Sequence, residues 1–459
     1  MKRFAIKDLI HWFERSNRKP MVLRGARQVG KSTLVRMFAK ERELDLMEIN
    51  LERFLYLDDI FKTYDLNKVL KELEAICGKK INESTLIFLD EIQATPQGIA
   101  CLRYFKEDRP DIAVIATGSL LEFTLADHSF SMPVGRIEYR HLGPMSFKEF
   151  LDELSPELTA YVEDVHWAKP IPMGAHLKLQ EKLREYMYVG GMPDAVKLYG
   201  ESGSLQDVQE IQRSICETYQ DDFAKYARQK DLALLQKIFR SLPTIAGQKV
   251  KYSNISQEHR AVEVRNAIEL LVKARVFHEV SSSSCSGLPL NAQINTKVFK
   301  LISLDIGIFN FLCGLDWLAI NALTDQQLIN KGFLAEQLVG QQLLVDPEMR
   351  KKPSLTYWLR EGKTANAEVD YVYSRANYII PIEVKSGTAG SLKSLQQFMH
   401  LKESQLAVKF DQNPASMQEV NCRIKNGGGI RDVRFPLLSL PLYAVEELPR
   451  LIDEFRSSE

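Results

Sequence analysis

The sequence predicts a multidomain α/β chain: an N-terminal parallel sheet flanked by helices, a helical and winged-helix-like middle, and a mixed α/β C-terminal domain. Three stretches carry that expectation. "KPMVLRGARQVGKST" (19–33) reads as strand, glycine loop and helix start; "STLIFLDEIQ" (84–93) is an apolar strand ending in two carboxylates. "AEVDYVYSRANYIIPIEVKSG" (367–387) alternates like a β-hairpin. At 459 residues the chain exceeds what one core usually supports. The expected segments are 1–155 for the first sheet, 156–245 helical, 246–320 winged-helix-like and 321–459 for the last domain.

Bulk composition narrows the class further. Hydrophobic residues make up 45% and charged residues 26%, as in ordinary globular proteins. Sixty basic and sixty acidic side chains cancel, so no global field draws the chain to nucleic acid or anionic lipid. The six cysteines lack metal-type spacing and suit reduced thiols. The basic start "MKRFAIKDLIHWFERSNRKP" is interrupted by charge every few residues, and no membrane-spanning run follows. A soluble, cytoplasmic protein without a membrane partner is expected.

The glycine loop has the chemistry of a phosphate cradle. Gly25 and Gly30 allow a tight turn whose N–H groups face phosphate oxygens, and the following helix N-terminus adds positive potential. Ala26, Arg27, Gln28, Val29 and Thr33 complete the candidate cradle. Lys31 would reach the β- and γ-phosphates of ATP, and the Ser32 hydroxyl would ligate Mg²⁺. Helical spacing of Leu34, Val35, Phe38 and Ala39 supports the context the pattern needs. In the second stretch, Asp90 is the natural partner of Mg²⁺ and Glu91 the base that orients water. A third strand, "DIAVIATGSL" (111–120), brings Thr117 and Ser119 to sense the γ-phosphate.

On these residues, Gly25 to Ser119 resembles the AAA+ branch of P-loop ATPases: Walker A with Gly25, Gly30, Lys31 and Ser32, Walker B with Asp90 and Glu91, then a sensor strand. "MPVGRIEYRHLGPMSFKEFL" (132–151) and "GGMP" at Gly190 to Pro193 are similar to a prokaryotic AAA-type ATPase family with a C-terminal domain of unknown function. The resemblance implies an ATP-binding hydrolase. It also raises an arginine contact to the γ-phosphate, from Arg136 or Arg140, in cis or through self-association of the ATPase domain.

The middle is helical. "LQDVQEIQRSICETYQDDFAKYA" and "LALLQKIFRSLPTIAG" have helix-face spacing, with Pro243 expected to end the second. Residues 252–284 then read as helix, helix and strand, the order of a winged helix-turn-helix. Arg260, Arg265, Lys273 and Arg275 invite a DNA-binding reading, which the interleaved Glu258, Glu263 and Glu269 dilute.

In the C-terminal hairpin, period two places Glu383 and Lys385 on one face, with Asp370 able to meet them across the ladder. "NKGFLAEQLVGQQLL" (330–344) is a helix bearing Glu336 among apolar residues, and "LAVKF" reads as a closing strand. Asp370, Glu383-x-Lys385 and Glu336 resemble the PD-(D/E)XK nuclease core, to which the family's C-terminal domain is itself similar. Val369 stands where that pattern often has proline. The resemblance implies a second Mg²⁺ or Mn²⁺ held by Asp370 and Glu383, with Glu336 completing the shell and Lys385 polarising water. Two whole functions follow. One is an ATPase coupled to a nuclease-like domain acting on DNA or RNA. The other is an ATP-dependent signalling switch whose last domain binds protein and cleaves nothing.

Overall fold

The computed structural model describes residues 2–119, 121–124, 133–316, 318, 332–346, 349–362, 366–385, 392–426 and 429–458. The expected division at 320/321 lies outside them, as do the ends of several stretches quoted above.

Five strands form the first sheet: β1 (Met21–Arg24), β2 (Asp45–Asn50), β3 (Thr85–Asp90), β4 (Ala113–Gly118) and β5 (Glu138–His141). All pair in parallel, in the order β2-β3-β4-β1-β5. Alternate residues serve opposite faces. Met21, Leu23, Leu86, Phe88 and Ile115 join one apolar cluster, whereas Val22, Ile87, Leu89, Val114 and Ala116 join another. Both faces are therefore covered, which is why these strands read as apolar runs up to their carboxyl tips.

Eight strands form the second sheet: β6 (Phe277–Ser283), β7 (Ile294–Ser303), β8 (Leu355–Arg360), β9 (Ala367–Arg375), β10 (Tyr378–Val384), β11 (Ala407–Asp411), β12 (Ser416–Asn426) and β13 (Gly429–Pro441). Their order is β12-β13-β11-β10-β9-β8-β6-β7, with mixed pairing. The short helix Tyr252–Ile255, the helix Ala261–Lys273 and the β6–β7 hairpin follow one another in the anticipated order. The hairpin is not a free wing, because β6 also pairs in parallel with β8. Strands from both sides of residue 320 thus share one sheet. "LAVKF" supplies β11, which lies inside the sheet rather than closing it: the β12–β13 hairpin extends beyond it. Pro243 does not end its helix, which runs over Leu232–Ile245.

One apolar cluster runs from the first sheet through the helices Met173–Val189, Leu205–Tyr226 and Leu232–Ile245 to the second sheet. Tyr186, Phe223, Phe239 and Tyr357 are buried within it. The far face of the second sheet packs Trp358 edge-on against Phe398 of the helix Lys393–Lys402. No described helix is long and apolar enough to cross a membrane.

Candidate functional site

The cradle lies at the carboxyl ends of β1, β3 and β4, the edge where ligands bind in open α/β sheets. Gly25 permits close approach, since a Cβ there would sit 2.3 Å from the Leu142 carbonyl oxygen. Gly30 has φ +87°, a left-handed conformation, and caps the helix Lys31–Glu41. The side chain of Arg3 braces the loop from outside, donating from Nη1 to the Val29 carbonyl (2.9 Å) and from Nε to Glu149 (3.0 Å). The Arg27 carbonyl accepts from Tyr219 Oη (3.0 Å), and Arg27 Nε lies 2.5 Å from Asp222 Oδ2 as an ion pair. Gln28 has φ +63°, and Thr33 is exposed.

Lys31 is buried, and its ammonium donates only to loop carbonyls: Gly25 at 3.1 Å and Ala26 at 2.8 Å. Burial lowers its pKa to about 8, against the pull of Glu91 and Asp90. Ser32 Oγ donates to Asp90 Oδ2 at 2.9 Å, and Thr117 Oγ1 donates to Asp90 Oδ1. Glu91 has φ +55°, an uncommon conformation for a residue with a Cβ. Its Oε2 accepts from Gln93 Nε2 (2.5 Å) and Ser119 Oγ (3.3 Å). Side chains from residues 31, 32, 90, 91, 117 and 119 are thus gathered at one sheet edge.

This residue set fits a magnesium nucleotide. The buried ammonium has only neutral partners to exchange for phosphate, and Ser32 with Asp90 offers paired oxygens to a hard cation. Residues 17–151 match the family model described as an AAA domain. The match supports ATP binding at the cradle. Residues 180–319 and 331–425 match two domains of unknown function (DUF8612 and DUF4143). No curated protein matches the chain. Among solved structures, a Walker-type ATPase of Pyrococcus abyssi is similar at 16% identity and TM-score 0.41, over 67% of this chain and 94% of that one. The ORC2 protein of Aeropyrum pernix is similar at 12% identity and TM-score 0.32, over 70% and 92%.

Two arginines expected near phosphate lie elsewhere. Arg136 precedes β5, at the amino end of the sheet and opposite the cradle of the AAA domain, and pairs with Glu107 at 2.8 Å. It does not approach the phosphate site of its own chain. Arg140 is buried in ion pairs with Asp8 (2.5 Å) and Glu138 (3.3 Å).

The C-terminal cluster is assembled differently. Asp370 Oδ2 accepts from the Val384 amide at 2.8 Å, and Lys385 Nζ lies 2.5 Å from Glu383 Oε1. Glu383 is buried, and its Oε2 has no hydrogen-bond partner. The pairing of β8 with β9 shifts register across this point: Thr356 faces Val372 but Trp358 faces Val369. The extra residue on β9 is a bulge beside Asp370, the kind of irregularity that re-aims a side chain.

Glu336 is not free to complete a metal shell. Its Oε1 accepts from Lys300 Nζ at 2.8 Å, and Lys300 also pairs with Glu368 at 2.5 Å and lies 4.9 Å from the Tyr357 ring centroid. Burial alone would lower the Lys300 pKa, but Glu336, Asp370 and Glu368 outweigh it and hold that pKa well above the usual lysine value. Among the described residues no group of three or more His, Cys, Asp or Glu is arranged to hold a metal ion. Of the expected trio of Asp370, Glu383 and Glu336, the third carboxylate is drawn to Lys300.

Sequence reading missed Arg3, Glu122, Lys300 and Glu368. A signal existed for Lys300, a charge inside the strand "KVFKLIS", which demands a buried partner. None marked Arg3, whose four acceptor groups lie more than twenty residues away.

Proposed function

We propose that the chain hydrolyses ATP with Mg²⁺ at its AAA domain and passes nucleotide state to its C-terminal domain. One observation carries the reading: Ser32, Asp90 and Thr117 form a single hydrogen-bonded unit beside Lys31 and Glu91. Bound Mg²⁺ would neutralise phosphate charge, and Ser32 and Asp90 would hold it. The Lys31 ammonium exchanges two carbonyls for phosphate oxygens. Glu91, already aimed by Gln93 and Ser119, accepts a proton from the attacking water. ATP turnover by the purified protein should require Mg²⁺ and vanish in Lys31→Ala. Turnover that survives that substitution would sink the reading.

A second reading, metal-dependent cleavage of DNA or RNA by the C-terminal domain, is favoured by one feature: the unpartnered buried Oε2 of Glu383 beside Asp370. There Asp370 and Glu383 would hold Mg²⁺ or Mn²⁺, and Lys385 would polarise water. Nicking of plasmid or RNA that disappears in both Asp370→Ala and Lys385→Ala supports it; nicking retained in both rejects it. The 261–275 segment lends nucleic-acid binding little support. Arg265 pairs with Glu269 and Glu279 (2.8 and 3.1 Å), and Arg275 is half-buried and pairs with Glu122 at 2.7 Å. If ATP turnover is unchanged by DNA and RNA at low salt, the protein-binding switch is preferred. A role for Arg136 at a neighbour's phosphate requires self-association, which sedimentation with and without ATP would reveal.

A further inference from the structure

Four carboxylates of the second sheet interact as one cluster: Glu336 from the helix Gly332–Leu343, Glu368 and Asp370 from β9, and Glu383 from β10. A lysine from the other side of residue 320 enters that cluster. Lys300 stands on β7 opposite Val280 of β6, and it is fully buried. Its Nζ lies 2.8 Å from Glu336 Oε1 and 2.5 Å from Glu368 Oε1, with the Tyr357 ring centroid 4.9 Å away. Asp370 adds its charge to the same ammonium. Two carboxylate oxygens and an aromatic face thus surround Lys300 as they would surround any bound cation.

Neither the lysine nor its first partner is free to step aside. On both flanks of Lys300 the strand is tied down, since Phe299 O accepts from the Val250 amide (2.9 Å) and Leu301 O from the Gly247 amide (3.3 Å). Gly247 also closes the far side of Glu336. Its φ is +69°, and a Cβ there would lie 3.0 Å from Glu336 Oε2. Tyr371 Oη donates to the Glu336 carbonyl at 2.9 Å and fixes the helix that carries it. The remaining carboxylates have partners of their own: Asp370 Oδ2 takes the Val384 amide, and Glu383 Oε1 takes Lys385. A divalent ion seeking the oxygens of Glu336 and Glu368 would meet a buried positive charge already among them, where like charges repel strongly.

We propose that Lys300 is the resident cation of the C-terminal cluster: its ammonium holds the place of a divalent ion among Glu336, Glu368 and Asp370, so the cluster is complete without metal. The inference is independent of ATP binding at the cradle. It opposes the cleavage reading, because both draw on Asp370. It also has an unusual consequence: removing the ammonium creates a divalent-cation site where truncating a residue would ordinarily destroy one.

The test uses the full chain without nucleotide and Mn²⁺ as the probe, read by equilibrium dialysis and by the unfolding midpoint. Any Mn²⁺ held by wild type should be indifferent to Asp370→Asn, and Mn²⁺ should leave the wild-type midpoint unchanged. Lys300→Ala removes the ammonium and opens its volume. That variant should bind about one more Mn²⁺ per chain than wild type, and Mn²⁺ should raise its midpoint by about 2–4 °C. Both gains should vanish when Glu368→Gln is added. Mn²⁺ that wild type binds and Asp370→Asn loses overturns the proposal in favour of the cleavage reading. Lys300→Ala that takes up no additional Mn²⁺, or stays unfolded with Mn²⁺ present, overturns it as well. Wild-type protein that binds no ATP sinks the ATP reading and leaves this inference standing.

Discussion

Lys31 and Lys300 are both buried lysines at candidate sites, yet their surroundings are opposite. Lys31 donates to two backbone carbonyls, and burial lowers its pKa to about 8. Lys300 meets Glu336 and Glu368, and those carboxylates with Asp370 raise its pKa. The first ammonium is desolvated without a counter-ion in direct contact, which primes it for phosphate. The second has its counter-ions built in. Buried charge thus meets only neutral carbonyls in one region and internal compensation in the other. The residue type alone does not distinguish them; its partners do.

Substitutions can break that contrast, beginning with the largest effect. Lys300→Met leaves Glu336 and Glu368 without their cation and should cost about 3–5 kcal/mol of stability, measured by denaturant unfolding. Adding Glu336→Leu should recover part of that loss; a double variant no better than the single would show that the pair is not the source. Lys31→Met should behave the other way. It removes a desolvated charge at the expense of two hydrogen bonds, so the nucleotide-free protein should be unchanged or up to about 2 kcal/mol more stable. ATP binding should be lost in the same variant. A clear destabilisation would mean that Lys31 serves packing before phosphate.

Smaller effects sharpen the nucleotide side. Glu91→Gln should retain ATP binding and slow hydrolysis by about 10²–10⁴-fold, the usual range for a lost general base. Thr117→Val removes one hydroxyl donor to Asp90 and should slow turnover about tenfold, with affinity for ADP unchanged. Should Thr117→Val impair ADP binding as strongly as turnover, the hydroxyl would be supporting the fold of the cradle rather than Asp90.

Much of the AAA domain was legible because its signals are local. Gly25, Gly30, Lys31 and Ser32 lie within eight residues, and an apolar strand ending in Asp90 announces its own burial and direction. The C-terminal hairpin was legible for the same reason: period two brought Glu383 and Lys385 together, and they are 2.5 Å apart. The long β12–β13 hairpin was not read, because Arg423, Asp432 and Arg434 interrupt its apolar pattern on the exposed side. Arg136 failed as a contact to its own chain's phosphate, since only strand direction shows that it sits at the wrong end of the sheet.

By itself, then, the sequence determined the glycine loop after β1, the acidic strand β3 and the Asp370–Glu383–Lys385 hairpin, because each is written in short-range spacing that backbone geometry converts directly into position. Tertiary structure alone decided which charges meet. It seated Lys300 of β7 against Glu336 and Glu368, 36 and 68 residues away. It also carried Arg275 to Glu122, 153 residues back in the chain. Such pairings are fixed by how sheets and helices pack, and buried charge accepts only the partners that packing supplies.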